Sequence, residues 1–268
     1  MPFPPRLLDP VELSLPRLPG ALEGLRIAHL SDLHLRRRSR WPRRLAAEFA
    51  HQPPDLVALT GDYMNLPGDE QLARDQLARL IDLLHPRLGT FGVFGNHDTQ
   101  RLRDLADDLP VHWLGDASTR LPDLPLLVMG MEMLFDREPD AAALAIELAR
   151  HDPAPPGEPE LRLMITHSPV SLATAADLRA DLMLCGHTHG GQIRLPGKGA
   201  LINSTDLPLD LTSGVLRHRE TLAGVSRGIG FTGLVPRVLC RGHVPVYTLR
   251  RGNLAGRFCN VYENTCPW

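Results

Sequence analysis

The chain has 268 residues, of which 43% are hydrophobic and 22% are charged, and its formal net charge is −2. This composition is that of an ordinary globular protein, and it excludes a disordered tail protein, a collagen-like fibre and a coiled coil. The near-neutral charge gives no electrostatic case for nucleic-acid binding.

The sequence shows no signal for export or for crossing a membrane. No apolar run reaches the roughly 18 residues of a spanning helix. Six prolines interrupt the first 23 residues, so they lack the continuous apolar segment of a signal peptide. The four cysteines share no Cys-x-x-Cys spacing, which favours reduced, structural thiols. We therefore expect a cytoplasmic protein.

Short apolar runs alternate with helical patterns through the first two thirds of the chain. In chain order these patterns predict a strand at Leu25–Leu30, a helix at Trp41–His51, a strand at Asp55–Thr60, a helix at Asp69–Leu84, a strand at Thr90–Phe94, a helix at Gln100–Asp108, strands at Val111–Leu114 and Leu126–Met129, a helix at Asp140–Arg150, a surface loop at His151–Glu160, a strand at Leu161–Thr166, a helix at Ser171–Arg179 and a strand at Asp181–Cys185. After Gly186 the chain becomes glycine-rich and mostly β, ending with a strand at Val244–Leu249. We expect one α/β domain over residues 1–268, with its core at about 11–250 and a tail at 251–268.

Polar clusters stand directly after five of the predicted strands. They are Asp32-Leu33-His34, Gly61-Asp62, Gly95-Asn96-His97-Asp98, His167 and Gly186-His187-Thr188-His189. Ligands of open α/β sheets bind outside the carboxyl ends of the strands, so these clusters are expected at one edge.

The residue types in these clusters favour a metal site. Carboxylate, amide oxygen and imidazole, without cysteine, suit borderline to hard ions such as Mn, Fe and Zn. Seven such groups exceed one tetrahedral site and suit two ions that share a carboxylate. In Asp32-x-His34 and His187-x-His189, an extended backbone would project both side chains the same way.

The ordered set of motifs resembles the calcineurin-like metallophosphoesterase family. The family pattern is D-x-H, then G-D, then G-N-H-[DE], then a lone H, then G-H-x-H, and every motif is present in order. The stretch Gly186–Gln192 resembles the bacterial G-H-T-H-G-G-Q branch, which includes predicted phosphodiesterases and UDP-2,3-diacylglucosamine pyrophosphatase-like enzymes. The resemblance implies an α/β sandwich of two packed mixed β-sheets flanked by helices.

The resemblance also implies a role for each motif residue. Asp32, His34 and His189 would hold one metal ion. Asn96, His167 and His187 would hold a second ion, and Asp62 would bridge the two. His97 would be the catalytic, non-ligand histidine beside the phosphate. The implied cofactors are two divalent or trivalent ions, Mn, Fe or Zn.

The implied reaction is hydrolysis of a phosphodiester or pyrophosphate bond by a hydroxide that bridges the metals. His97 would protonate the leaving oxygen or stabilise the transition state. Two alternatives stay open. One is a membrane-peripheral enzyme acting on a lipid-linked substrate, and the other is a metal-bound binding protein without turnover.

The chain departs from the protein phosphatases of this superfamily at Asn65. Those enzymes carry G-D-x-x-D-R-G, whose second Asp orients the catalytic histidine, and Asn65 stands in its place. Asp98 is the nearest candidate by sequence to orient His97. A protein phosphatase is therefore disfavoured.

A basic run follows the first motif and ends in a tryptophan. It comprises Arg36, Arg37, Arg38, Arg40 and Trp41. One interpretation is a solvated approach to the following helix. The other is peripheral contact with acidic lipid head groups or capture of an anionic substrate, with Trp41 at the interface.

Overall fold

A computed structural model describes residues 7–35, 41–150, 159–203, 205, 208–232, 236–253 and 259–260. The described helices are α1 (Trp41–Phe49), α2 (Glu70–Ile81), α3 (Gln100–Ala106), α4 (Ala141–Arg150) and α5 (Leu172–Asp177). The described strands are β1 (Leu8–Leu15), β2 (Arg26–Leu30), β3 (Leu56–Thr60), β4 (Thr90–Val93), β5 (His112–Trp113), β6 (Ala117–Arg120), β7 (Leu126–Met131), β8 (Leu161–Thr166), β9 (Leu182–Cys185), β10 (Arg194–Leu195), β11 (Gly199–Ala200), β12 (Gly214–His218), β13 (Thr221–Val225), β14 (Val244–Arg251) and β15 (Cys259–Asn260).

The strands form two mixed sheets and a small hairpin. The first sheet has the order β1-β14-β2-β3-β4-β5, and the second has β15-β12-β13-β9-β8-β7-β6. Strands β2, β3, β4 and β5 run parallel, as do β7, β8, β9 and β13. Strands β10 and β11 pair antiparallel as a separate hairpin. The carboxyl ends of both parallel runs therefore meet at one edge of the molecule.

Alternating side chains bury both faces of each sheet. In β3, Leu56 and Ala58 pack between the two sheets, whereas Val57 and Leu59 pack on the outer face beside helices α1, α2 and α3. The outer face of the second sheet packs against α4 and α5, through Leu144 and Leu172. The architecture is the predicted α/β sandwich of two mixed sheets flanked by helices.

Strand β1 was not predicted, because prolines interrupt the N-terminal sequence. Pro10 lies inside it, paired with Val246 of β14. A proline is tolerated there because β1 is an edge strand of its sheet. Gly224 likewise lies inside a strand, β13, although glycine is uncommon in strand interiors. A Cβ at Gly224 would meet the Tyr247 hydroxyl. Gly224 permits a close approach of the two sheets and does not break the strand.

The N-terminal strand is tied to the glycine-rich segment by a buried histidine. The His243 ring lies 2.9 Å from Asp9 Oδ2 through Nδ1, and its Nε2 accepts the Arg227 N–H at 3.0 Å. Burial lowers the pKa of His243 from 6.5 to about 4. The neutral ring is therefore the form that the folded chain holds.

This pKa shift predicts a loss of stability in acid. The unfolded chain binds a proton on His243 below pH 6.5 and the folded chain only below about 4, so stability falls as pH drops through that window. Replacing His243 with Gln keeps one acceptor for Arg227 and one donor for Asp9 without a titrating ring. Between pH 7 and pH 4.5, urea unfolding should show the wild type losing about 2 kcal/mol more than His243→Gln. Equal losses would contradict the assignment.

Candidate metal centre

The loops that follow β2, β3, β4, β8 and β9 bring every predicted ligand to one edge of the sandwich. The residues that converge there are Asp32, His34, Asp62, Asn96, His167, His187 and His189. They come from both sheets, so the site spans the junction between the two layers.

A first group of buried side chains comprises Asp32, His34, Asp62 and His189. Each offers one nitrogen or oxygen, and these atoms lie within 4.8 Å of one another. The Nε2 atoms of His34 and His189 are 3.1 Å apart. His34 Nε2 lies 3.6 Å from Asp62 Oδ2, and His189 Nε2 lies 3.5 Å from Asp32 Oδ1. This set could hold one metal ion.

A second group comprises Asp62, His167 and His187, with Asn96 beside them. Asn96 Oδ1 lies 2.9 Å from His167 Nε2 and 2.8 Å from His187 Nδ1. His167 Nε2 lies 3.4 Å from Asp62 Oδ1. Asp62 thus turns one carboxylate oxygen toward each group, as a bridging ligand requires.

Main-chain carbonyls orient two of the imidazole rings. His34 Nδ1 lies 3.0 Å from the Met64 carbonyl, and His167 Nδ1 lies 2.8 Å from the Thr60 carbonyl. A carbonyl only accepts, so Nδ1 carries the proton that it donates, and Nε2 turns toward the cluster. Metal-binding histidines are commonly fixed in this way. The donor set therefore fits divalent ions that prefer nitrogen and oxygen ligands.

In the second group, the carboxylates that face His167 favour the positively charged form of its ring. Burial alone would lower the pKa of His167, but the facing Asp62 and Asp32 carboxylates raise it to about 9. Burial alone would raise the pKa of Asp62, but His167 and His34 hold that pKa well below its usual range. By contrast, burial lowers the pKa of His34 to about 4, so its ring is neutral and has a free lone pair.

The expectation of an extended backbone in the Asp32-x-His34 and His187-x-His189 motifs is wrong. Asp32, His34, His187 and His189 have φ values of 50°, 38°, 70° and 51°, and Asp62 has 58°. These left-handed conformations are rare for residues other than glycine. They persist where the surrounding structure holds them, and they are frequent at functional sites. The side chains converge because the loops curl, which the spacing of the motifs does not indicate.

Gly95 allows the loops after β3 and β4 to approach closely. A Cβ at Gly95 would meet the Asp62 carboxylate and, at 2.8 Å, His167 Nδ1. Any other residue there would push apart the two loops that supply Asp62 and Asn96.

His97 lies beside both groups and belongs to neither. Its ring stands edge-on to His34, with centroids 4.9 Å apart. Its ring Nδ1 lies 2.9 Å from the Asn65 carbonyl, and the main-chain N–H of His97 donates to Asp62 Oδ1 at 2.9 Å. The Asn65 main chain thus orients the ring at the position where an acidic side chain is absent.

Asp98 does not orient His97, so that prediction is wrong. Its buried carboxylate instead accepts four main-chain N–H groups, from Asp62 and Gly95 at 2.8 Å on Oδ2, and from Tyr63 at 2.8 Å and Met64 at 3.1 Å on Oδ1. Asp98 therefore fastens the loop after β3 to the loop after β4.

Sequence reasoning assigned no role to Arg237, a half-buried arginine beside the first group. Arg237 donates to the main-chain carbonyls of Arg227 at 2.6 Å and of His189 at 3.2 Å, and its Nε donates to Gly230 at 2.8 Å. It fixes the glycine-rich segment against the loop of His189. Acceptors in the main chain leave no pattern in the sequence, so only the structure assigns this contact.

The predicted basic interface is not supported at Trp41. The Trp41 side chain is 4% exposed and packs in the core on the outer face of the first sheet. A buried ring cannot lie at a membrane interface. Arg36, Arg37, Arg38 and Arg40 lie outside the described residues.

The fastening role of Asp98 predicts a coupled loss of stability and metal. Asparagine would present one oxygen and one NH₂ to four N–H donors, leaving two donors unmatched, which costs about 2–4 kcal/mol. We expect Asp98→Asn to lower the free energy of unfolding in urea by that amount and to lose metal on dialysis, measured by atomic emission. Asp107→Asn, at an exposed position, is the control. Wild-type stability and metal content in Asp98→Asn would contradict the role.

Comparison with known proteins places the chain in a family. The family model for calcineurin-like phosphoesterase matches residues 25–191, more than half of the chain. The phosphodiesterase YaeI of Escherichia coli (strain K12) is 31% identical, over 74% of this chain and 71% of that protein. The uncharacterized metallophosphoesterase YkoQ of Bacillus subtilis (strain 168) is 29% identical over 85% of each chain. The UDP-2,3-diacylglucosamine pyrophosphatase LpxG of Chlamydia trachomatis (serovar D) is 25% identical over 72% of each chain.

A solved crystal structure with 12% sequence identity shares the fold, with a TM-score of 0.50 over 75% of this chain and 89% of that chain. The chain belongs to the calcineurin-like phosphoesterase family, and it is a metal-dependent phosphoester hydrolase.

Proposed function

We propose that this protein hydrolyses a phosphodiester or pyrophosphate bond with two metal ions held at the edge of the sandwich. Asp32, His34 and His189 would hold one ion, while Asn96, His167 and His187 would hold the other. The observation that carries the proposal is the position of Asp62, whose two oxygens face the two groups separately. The names of two relatives, a phosphodiesterase and a pyrophosphatase, support this choice of bond.

When bound, the two ions would supply Lewis acidity toward the phosphoryl oxygens and a water ionised at neutral pH. The donor set of carboxylate, amide and imidazole suits Mn, Fe or Zn. Asn96 contributes an oxygen without negative charge, which limits repulsion of an anionic substrate.

His97 acts as the proton donor to the leaving oxygen. Because its Nδ1 is held by the Asn65 carbonyl, Nε2 is the nitrogen left to exchange a proton with a substrate. The main-chain N–H of His97 donates to Asp62 Oδ1, which fixes the His97 backbone beside the proposed bridging carboxylate. His97 is half-buried, so a substrate can reach the ring.

The first test adds Mn²⁺ stepwise to metal-stripped protein and follows hydrolysis of a generic aryl phosphodiester. Activity should return and saturate near two ions per chain, because both groups must be filled. Asp62→Ala is the control variant, and it should remain inactive and metal-poor because one change opens both sites.

Two outcomes would contradict the proposal. Two ions retained tightly by Asp62→Ala would rule out the bridging role. Two ions bound by the wild type without hydrolysis of any phosphodiester or pyrophosphate would favour a metal-bound binding protein.

The role of His97 predicts a separation of turnover from metal content. His97→Ala should lower kcat by about 10²–10⁴-fold, because a general acid contributes that much. Metal content should stay at the wild-type level, since His97 belongs to neither ligand group. His85→Ala, at an exposed position, should change neither quantity. Loss of metal from His97→Ala would show that His97 is a ligand.

A further inference from the structure

An apolar patch lies beside the first metal group, on the hairpin β10–β11 and the glycine-rich segment next to it. Its large side chains are exposed by 40–65%, and they are Leu195, Leu201, Ile202, Phe231 and Leu239. Among the described residues, no helix is long and apolar enough to cross a bilayer. We call these five side chains the hairpin patch.

Hydrogen bonds join the two chain segments that carry the hairpin patch. Arg194 N–H donates to the Val238 carbonyl at 3.0 Å, and Val238 N–H donates to the Gln192 carbonyl at 2.8 Å. These bonds join the hairpin to the segment that carries Leu239. Arg237, whose Nε donates to Gly230 at 2.8 Å, holds the residue before Phe231 to the same segment.

The hairpin patch is also joined directly to the metal centre. Gln192 N–H donates to the His189 carbonyl at 3.1 Å, and the Cys240 thiol donates to the same carbonyl at 3.3 Å. On the other side, Gly230 N–H donates to the Asp32 carbonyl at 2.8 Å. A surface that binds the patch therefore lies next to two residues of the first metal group.

Leu239 is exposed and has a strained backbone conformation. Its side chain is 65% exposed, and its φ of 53° is in the left-handed region. A leucine gains nothing from water and is strained in this conformation, so a polar residue or glycine would be better tolerated there.

The two segments that carry the hairpin patch contain no acidic residue, and the nearest acidic residue along the described chain is Asp210, in the turn Leu209–Leu211 that contacts β11. Residues 192–203 and 226–243 contain five basic residues, Arg194, Lys198, Arg227, Arg237 and Arg241, and no Asp or Glu, in a chain of net charge −2. Three of the five side chains make internal hydrogen bonds. Arg194 donates to Gly190 and Ser213, Arg227 donates to the Arg241 carbonyl, and Arg237 makes the contacts described above. Lys198 and Arg241 are exposed beside the apolar side chains.

We propose that the hairpin patch binds the surface of an anionic phospholipid bilayer, with Lys198 and Arg241 on the head groups and the apolar side chains inserted at the interface. Exposed apolar side chains beside exposed cations are what such a surface attracts. Docking would place the metal edge against a layer rich in phosphoesters. Only this last consequence rests on the proposed function.

Co-sedimentation with phosphatidylcholine vesicles, with and without phosphatidylglycerol, tests the proposal. The wild type should bind the anionic vesicles and bind the neutral ones far more weakly. The double variant Leu195→Ser/Leu239→Ser should bind about tenfold more weakly for each leucine removed. Lys198→Gln/Arg241→Gln should lose about fivefold for each cation, and only on anionic vesicles.

A matched control variant is Leu83→Ser/Ile146→Ser, which removes two side chains that are 41% and 56% exposed away from the patch. It should bind vesicles like the wild type. Hydrolysis of the soluble aryl phosphodiester should be unchanged in all three variants, because none touches the metal groups. Vesicle binding is measured with metal-stripped and with metal-loaded protein. If binding depends on the hairpin patch but the metal-loaded protein hydrolyses no phosphodiester or pyrophosphate, the proposed function is wrong and the membrane proposal stands.

Three results would overturn the membrane proposal. The first is a wild type that does not bind anionic vesicles. The second is equal loss of binding in the patch and control variants. The third is a dimer, seen by light scattering, that dissociates in Leu195→Ser/Leu239→Ser, because the patch would then be covered by a second copy of the chain.

Discussion

The geometry of the metal edge depends on one buried carboxylate. Asp98 receives N–H groups from both the loop after β3 and the loop after β4, and these loops supply Asp62, Asn96 and His97. A fully buried carboxylate requires several donors, and the loops supply four of them. The same bonds leave the Asp62 side chain free to face the two ligand groups. Asp98, the last residue of the Gly-Asn-His-Asp motif, thus positions the ligand-bearing loops without facing the ligand groups itself.

The remaining ligands depend on loops that no regular structure could provide. Asp32, Asp62 and His189 all adopt left-handed backbone conformations, and each such residue costs free energy. Hydrogen bonds around them offset the cost: Arg237 holds the His189 loop, and Gly230 N–H holds Asp32. The ligands therefore lie on strained turns that hydrogen bonds hold at the edge of the two sheets. This support keeps the ligands in position independently of a bound ion.

Strand ends and hydrophobic alternation are local signals, so the sequence alone predicts an α/β domain with the seven ligand candidates at one edge. The sandwich of two sheets follows only from the resemblance to the family. Sequence reasoning failed where a long-range contact decides the conformation. Strand β1 forms around Pro10 because β14 pairs with it, and the orientation of His97 comes from the main chain of Asn65, where only side chains were considered. The basic neighbours of Trp41 make an interfacial position one of two interpretations, but helix α1 turns its side chain into the core. The exposure of Leu239 likewise depends on contacts that a sequence pattern does not contain.

The order of strands in the first sheet has a consequence for synthesis on the ribosome. Strand β14 lies between β1 and β2, pairing parallel with one and antiparallel with the other. The two earliest strands therefore cannot complete their hydrogen bonds until almost the whole chain has been translated. Such late, non-local pairing slows folding and leaves strand edges open meanwhile. A nascent chain of this topology stays exposed to aggregation until its last major strand emerges, and the prolines near the unpaired edge strand β1 would reduce premature pairing there.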